Sequence, residues 1–444
     1  MTKNTSDFSK GSILSNIVRL AVPMTLAQLI NVLYNIVDRI YIGRMGENSS
    51  LALTGLGVCL PIITIVMAFA NLIGMGGAPL FSIKRGEGNE EEAEKIMGNC
   101  LTLLIIFGVS LTVIGLIIKR PLLMLLGASE NTLPYADEYI TVYLLGNVFV
   151  MLSLGLNSFI NAQGFGKTGM LTVFIGAGLN IVLDPIFIYK MGVQGAALAT
   201  VISQFVAAVW TFRFLTGRKA VIRLKLSAMK CQLERIKRIL LLGLSGFTMA
   251  ITNSLVQIVC NASLQSYGSD VYVGAMTIIN SVREVVSMPV MGLTNSAQPI
   301  VGFNYGAKEF GRVKDAIKYL SAILIGYTLL AWAFVSAFPN FLMGIFTADA
   351  ELIRVGVPSM HIYFFGFCFM ALQFSGQTIF TGTGKAKQAI FFSIFRKVII
   401  VVPLTLLLPM WFGVNGVFMA EPVSNLIGGA ACFITMYLTV YKKL

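Results

Sequence analysis

The sequence predicts an all-α polytopic membrane protein, with twelve transmembrane helices in two six-helix parallel repeats. Three observations carry this. Apolar residues fill 56% of the 444 positions and charged residues only 12%, about half the share usual in a soluble domain, and mean hydropathy is +0.80. Apolar segments long enough to cross a bilayer recur along the whole chain. Three sequence blocks recur, in order, about 220 residues apart.

The segments run over 17–42, 51–77, 96–118, 136–160, 168–190 and 193–215, then 236–265, 271–298, 316–338, 357–380, 387–411 and 414–440. Backbone facing lipid must satisfy its own hydrogen bonds, so each is a helix and not an open strand. The 43 glycines suit close helix packing. Orientation follows from lysine and arginine in the short loops. With both termini in the cytoplasm, 24 of the 33 basic residues lie inside and 6 outside, and Arg283, Arg396 and Lys397 lie in or beside spans. This is the topology of a multi-pass protein of a bacterial-type cytoplasmic (inner) membrane. The start, MTKNTSDFSKGSILSNIVRL, is polar and basic, and the apolar run after it is too long for the core of a cleavable signal.

The longest and most basic connection, 216–235, divides an N-terminal lobe (1–215) from a C-terminal lobe (236–444). QGFGKTG at 163–169 pairs with TGTGKAK at 381–387, a shift of 218, which also sets Pro185 on Pro403. APLFSIKRGEGN at 78–89 pairs with QPIVGFNYGAKE at 298–309, a shift of 220, and MGVQGAALATVISQ at 191–204 pairs with FGVNGVFMAEPVSN at 412–425, a shift of 221. Six spans per half insert both halves the same way, as parallel repeats with a cleft between them.

Composition also excludes several classes. The net charge of +13 is gathered in particular loops and not spread over a soluble face, so nucleic acid is not a partner. The six cysteines show no CxxC pair and read as packing residues, and the single His361 excludes a His-rich metal site. GFGK and GTGK lack the full GxxxxGK[ST] pattern and are not phosphate loops. GEGNEEEAEK at 86–95 reads as a solvated helix start. No cofactor is implied. A membrane enzyme, such as a lipid-group transferase, needs clustered carboxylates on a metal or a nucleophile–base pair, and no clear motif of that kind is present.

The stretches AVPMTLAQLINVLYNIVDRIYIGRMG (21–46), LNSFINAQGFGKTG (156–169), LNIVLDPIFIYKMGVQGAALAT (179–200) and AQPIVGFNYGAK (297–308) resemble the MATE (multidrug and toxic compound extrusion) family of the wider multidrug/oligosaccharidyl-lipid/polysaccharide flippase superfamily. The resemblance covers nearly the whole chain. It implies a V-shaped pair of six-helix lobes and cation-coupled efflux of small organic compounds.

Polar residues inside spans point the same way. Gln28, Asn31, Asn35 and Asp38 share one face of the first helix. Asn180 and Asp184 share a face of the fifth, just before Pro185, and Thr200, Ser203 and Gln204 share one on the sixth. A carboxylate inside a membrane costs several kcal/mol and is functional by default. Two that share a site cannot easily both stay ionised, so the pair suits a proton. The same oxygens, with Asn and Thr, suit Na⁺. The coupling ion is therefore H⁺ or Na⁺. One branch of the MATE family uses Asp, Asn, Asp and Thr on the first, fifth and sixth helices, and Asp38, Asn180, Asp184 and Thr200 match it. The alternative is that these groups only satisfy one another as packing.

The second half lacks those carboxylates. Shifts of 222 turn Asn31, Asn35 and Asp38 into Asn253, Gln257 and Cys260, and the proline pairing turns Asp184 into Val402. Thr200 becomes Glu421, and the eighth span carries Arg283 and Glu284. Two readings of these acids stay open: Glu284 or Glu421 faces the cleft and attracts a cationic substrate, or Glu421 closes an internal salt bridge with Arg396. Gln28, Asn31, Asn35, Asn157, Asn253, Gln257, Glu284 and Glu421 are the candidate substrate contacts. The leading expectation is a monomer that exports amphipathic, cationic organic compounds by alternating access. The alternative is a flippase for a lipid-linked precursor. Its pyrophosphate needs a strongly cationic cleft, and Arg19, Arg39, Arg283 and Arg396 look too dispersed for that.

Overall fold

The structure, a computed structural model, describes residues 7–42 and 49–444, without the side chains at 35, 36, 39, 40, 49 and 50. The first half holds α1 (Ile13–Ile42), α2 (Ser49–Gly86), α3 (Glu90–Leu125), α4 (Leu133–Ala162), α5 (Gly166–Met191) and α6 (Val193–Thr216). The second half holds α7 (Leu233–Tyr267), α8 (Asp270–Gly306), α9 (Phe310–Ala337), the short α10 (Pro339–Phe346), α11 (Ala350–Phe364), α12 (Phe369–Gly382) and α13 (Ala386–Ile394). A π-helical turn (Phe395–Val401), α14 (Val402–Leu407), α15 (Pro409–Phe412) and α16 (Val414–Thr439) complete it.

All twelve expected segments fall on helix. Among the described residues ten helices are long and apolar enough to span a membrane, and α11 with α12, bent by 50° at their break, make an eleventh. The other expected span is α8, 37 residues long, whose polar positions around Arg283 and Glu284 keep it out of that apolar class. Caps set the ends. Asn89 accepts the Glu92 amide at 3.0 Å and Asp349 accepts the Glu351 amide at 2.9 Å. Glu90, Glu91 and Glu92 occupy the first turn of α3, where the helix dipole favours them. The acidic stretch is thus a capped helix start.

The chain forms two compact units. One holds Val22–Gly243, and the other holds Phe8–Ala21 with Leu244–Leu444. In the first, α4 packs on α2, α3 and α6, and α5 packs on α6. In the second, α12 packs on α8, α9 and α16. Both boundaries differ from the expected lobes. The basic stretch 216–235 is an ordered belt on the first unit. Asn99 donates to the Ala228 and Lys230 carbonyls (3.2 and 3.0 Å) and accepts the Gln232 amide (3.2 Å). Gln163 accepts the amides of Val221 and Ile222 at 2.7 and 3.0 Å. Arg235 grips Glu92 through two bonds of 2.9 and 2.8 Å. Phe8–Ala21 belongs to the second unit because Asn304 and Arg312 donate to the Phe8 carbonyl at 3.3 and 2.8 Å, and the fully buried Phe8 ring meets Phe303 edge-on.

Backbone conformation also corrects the repeat register. Positive φ recurs at Gly88 (75°) and Lys308 (59°), at Gly164 (90°) and Gly384 (74°), and at Gly192 (62°) and Gly413 (55°). The first two pairs are 220 residues apart and the third 221. The block at 163–169 therefore pairs at 220 and not 218. Gly195 and Gly416 confirm 221 beyond it: a Cβ at Gly195 would collide with the Phe187 carbonyl, and one at Gly416 with the Leu408 carbonyl group. One extra residue lies between Gly384 and Leu408. The π turn Phe395–Val401, where the Val402 amide reaches back to the Lys397 carbonyl, absorbs it. Asp184 then pairs with Thr405 and not Val402.

Candidate functional site

The first unit buries a carboxylate site between α5 and α6. Asn180 and Asp184 lie one turn apart on α5, 2% and 0% exposed. The Asn180 amide donates to Asp184 Oδ1 at 3.0 Å and to Thr200 Oγ1, on α6, at 3.3 Å. That leaves Asn180 Oδ1 and Asp184 Oδ2 buried with no hydrogen-bond partner among the described residues. Asp38 on α1 is also buried, and its charge reaches both Asp184 and Tyr139. Asp38, Thr200 and Gln204 line one cavity with Tyr34, Tyr139 and Tyr143. Ser153 donates to Gln204 Oε1 at 2.5 Å and fixes that side chain. The cavity, about 50 Å³, has room for water or a small cation but not for a drug-sized molecule.

Chemically this is a buried, oxygen-rich, anionic cluster. Two carboxylates in a low-dielectric setting repel one another, and a bound proton or metal ion relieves that cost. Buried oxygens without partners are costly unless a ligand uses them. The donor set fits H⁺ or Na⁺, since it offers carboxylate, amide and hydroxyl oxygens.

The second unit has a cavity of about 100 Å³ walled by Asn253, Gln257, Cys260, Asn280, Arg283, Tyr363, Lys397 and Glu421 among others. Glu421 is 6% exposed and held by three cations. Lys397 donates to both its oxygens at 2.9 and 3.1 Å, Arg396 to one at 3.3 Å, and Arg283 stands 3.7 Å away. Arg396 also donates to Asn425 at 2.6 Å. Neighbours in sequence normally diverge around a helix, yet Arg396 and Lys397 are both buried, because both ride the π turn. Gly428 makes the room: a Cβ there would stand 2.8 Å from Arg396 Cγ.

Of the four residues that the resemblance singles out, Asn180, Asp184 and Thr200 form one hydrogen-bonded set, and Asp38 shares a cavity with Thr200 and acts on Asp184 through its charge. Asn253, Gln257 and Glu421 also share one cavity. For Glu421 the geometry is that of the internal salt bridge, with Lys397 as its nearest cation and not Arg396 alone. Gln28 and Asn31 are half-buried on α1, and the Asn35 side chain lies outside the described residues. Asn157 lines neither cavity and donates to the Gly169 carbonyl at 3.2 Å, tying α4 to α5. Glu284 is exposed and lines neither. Sequence reasoning missed the tyrosines. Tyr34 was within reach, since it lies on the stripe of Asn31 and Asp38 at helical spacing. Tyr139 and Tyr143 form an i, i+4 pair whose partners only the fold reveals. Arg283 and Arg396, judged dispersed, converge on Glu421.

Comparison with known proteins agrees with this architecture. The MatE family profile matches residues 23–186 and 245–407, one stretch in each half. The chain is 25% identical over 436 residues to the multidrug export protein MepA of Staphylococcus aureus strain NCTC 8325, covering 98% of this chain and 95% of that one. It is 25% identical over 433 residues to MepA of Staphylococcus saprophyticus, covering 97% and 95%. The fold is similar to a crystal structure of MATE in complex with MaD3S, with a TM-score of 0.93 at 24% identity and all of both chains covered. It is also similar to a MOP-superfamily transporter from Pyrococcus furiosus, with a TM-score of 0.92 at 24% identity and 99% of each chain covered.

Proposed function

The chain belongs to the MATE family, and from that premise we propose that it is a cation-coupled antiporter that exports amphipathic organic compounds, drugs among them, by alternating access. It is a multi-pass membrane transporter and not an enzyme. The observation that supports coupling is the pair of buried oxygens on Asp184 and Asn180 without hydrogen-bond partners among the described residues, within the field of Asp38. Entry of H⁺ or Na⁺ neutralises one carboxylate, lowers the repulsion with the other, and repacks α5 against α6. Asn180 is the relay, since it is bonded to both Asp184 and Thr200. Substrate leaves as the cation enters, and the cation departs on the opposite side. The driving force is adequate: about 2.3 kcal/mol per charge at 100 mV, with about 1.4 kcal/mol per pH unit for a proton. We assign the protein to the cytoplasmic membrane with both ends inside, working as a monomer.

The test is efflux of a fluorescent amphipathic dye from vesicles with ΔpH and ΔNa⁺ imposed separately. One gradient drives wild-type efflux, and Asp38→Asn and Asp184→Asn both lose it while staying folded. Full gradient-driven transport by both variants would sink the coupling assignment.

A further inference from the structure

The cavity of the second unit carries more cation than its own carboxylates neutralise. Three cations, Arg283, Arg396 and Lys397, surround the single buried carboxylate of Glu421. The exposed Glu284 also acts on Arg283, and cations still outnumber carboxylates by three to two. Guanidinium stays charged in any protein setting, so Arg283 and Arg396 by themselves match Glu421 and Glu284, and Lys397 is the cation in excess. Uncompensated charge inside a membrane protein is expensive and marks a function. Asn253, Gln257 and Asn280 add amide groups to the same wall. Arg283 is the accessible member, with 31% of its side chain exposed, whereas Lys397 and Arg396 are held behind it.

We propose that this cavity binds one oxyanion group, a carboxylate or a phosphate, carried by an amphipathic ligand. Arg283 makes the bidentate contact that guanidinium offers such groups. Lys397 and Arg396 supply the field behind it, and Glu421 holds them in place. The group can belong to a transported molecule or to an anionic lipid headgroup. The site is separate from the cation site of Asp38 and Asp184, and ligand binding without any gradient tests it whether or not the coupling assignment holds.

The experiment is fluorescence titration of the full chain in uncharged phosphatidylcholine vesicles with two dyes of one skeleton: dansylglycine, a carboxylate, and dansylcadaverine, an ammonium. Wild type prefers the carboxylate dye. Arg283→Gln reduces that preference about tenfold, the effect of one charge-assisted hydrogen bond, and Arg283→Lys restores part of it. Titration with phosphatidylglycerol separates the sources. Displacement of dansylglycine by this lipid in wild type but not in Arg283→Gln identifies a headgroup site, and retention of the dye identifies a site for the transported molecule. No binding of dansylglycine, a preference for the ammonium dye, or an unchanged preference in Arg283→Gln overturns the proposal. Thermal melting of each variant shows that it is folded, and if Arg283→Gln melts early, Arg283→Lys carries the comparison alone.

Discussion

In the first unit Asp184 lies in the field of Asp38, with Thr200 one hydrogen bond beyond Asn180. In the second unit the corresponding positions hold Cys260 and Thr405, 3.8 Å apart, with Glu421 in the place of Thr200. Gly176 and Ala177 of α5 correspond to Arg396 and Lys397. One scaffold, repeated, thus holds an anionic centre in one copy and a cationic centre in the other. The backbone devices persist across both: Gly192 and Gly413 share a φ near +60°, and Gly195 and Gly416 both admit a close carbonyl. Charge and frame are therefore set by different residues. The π turn is where they meet, since the one extra residue that shifts the register also carries both new cations inward.

Breaking the anionic centre has the largest expected effect. Asp184→Asn and Asp38→Asn each take gradient-driven dye efflux to background, whereas Cys260→Ala, at the matching place, leaves it near wild type. Next comes the cationic centre. Glu421→Gln leaves three cations facing no buried carboxylate and destabilises the protein by about 3–5 kcal/mol, the usual cost of breaking a buried pair, read as a lower denaturation midpoint. Lys397→Met with Glu421→Gln recovers part of that loss. If the double variant is no better than Glu421→Gln alone, Lys397 is not the principal partner.

The shared frame gives a smaller, symmetric effect. Gly195→Ala and Gly416→Ala each cost about 1–3 kcal/mol by overpacking, and unequal costs in thermal melting would show that the copies differ in more than charge. The finest distinction is Thr200→Val. It removes one acceptor from Asn180, costs about 1 kcal/mol, and weakens the dependence of transport on the driving cation without abolishing it. Initial efflux rates against cation concentration measure it.

Much of this was legible in the chain. The twelve spans followed from apolar runs, and Asn31, Asp38, Asn180 and Asp184 announced themselves as polar groups at helical spacing where lipid makes polarity costly. The register between halves was harder, because QGFGK and TGTGK each offer two glycines at alternate positions. Only φ shows that Gly164 answers Gly384 and not Gly382. The cationic centre was invisible for another reason. Arg283 lies on α8, Arg396 on the π turn and Glu421 on α16, and no spacing rule links residues so far apart. The order of the belt was hidden because its sequence shows only a basic connection between the halves, whereas buried Asn99 and Gln163, ordinary polar residues in sequence, hold it by its backbone.

The division of the chain into units has a consequence for its biosynthesis. Everything from Val22 to Gly243 leaves the ribosome in one run, with the belt last, so the first unit can close, strapped by Asn99 and Arg235, while the second is still being made. Phe8–Ala21 is translated before all of it yet belongs with Leu244–Leu444. That short segment must wait, unplaced, until Asn304 and Arg312 arrive to receive the Phe8 carbonyl. Its docking therefore follows the synthesis of α8 and the start of α9, and precedes that of the rest of the second unit.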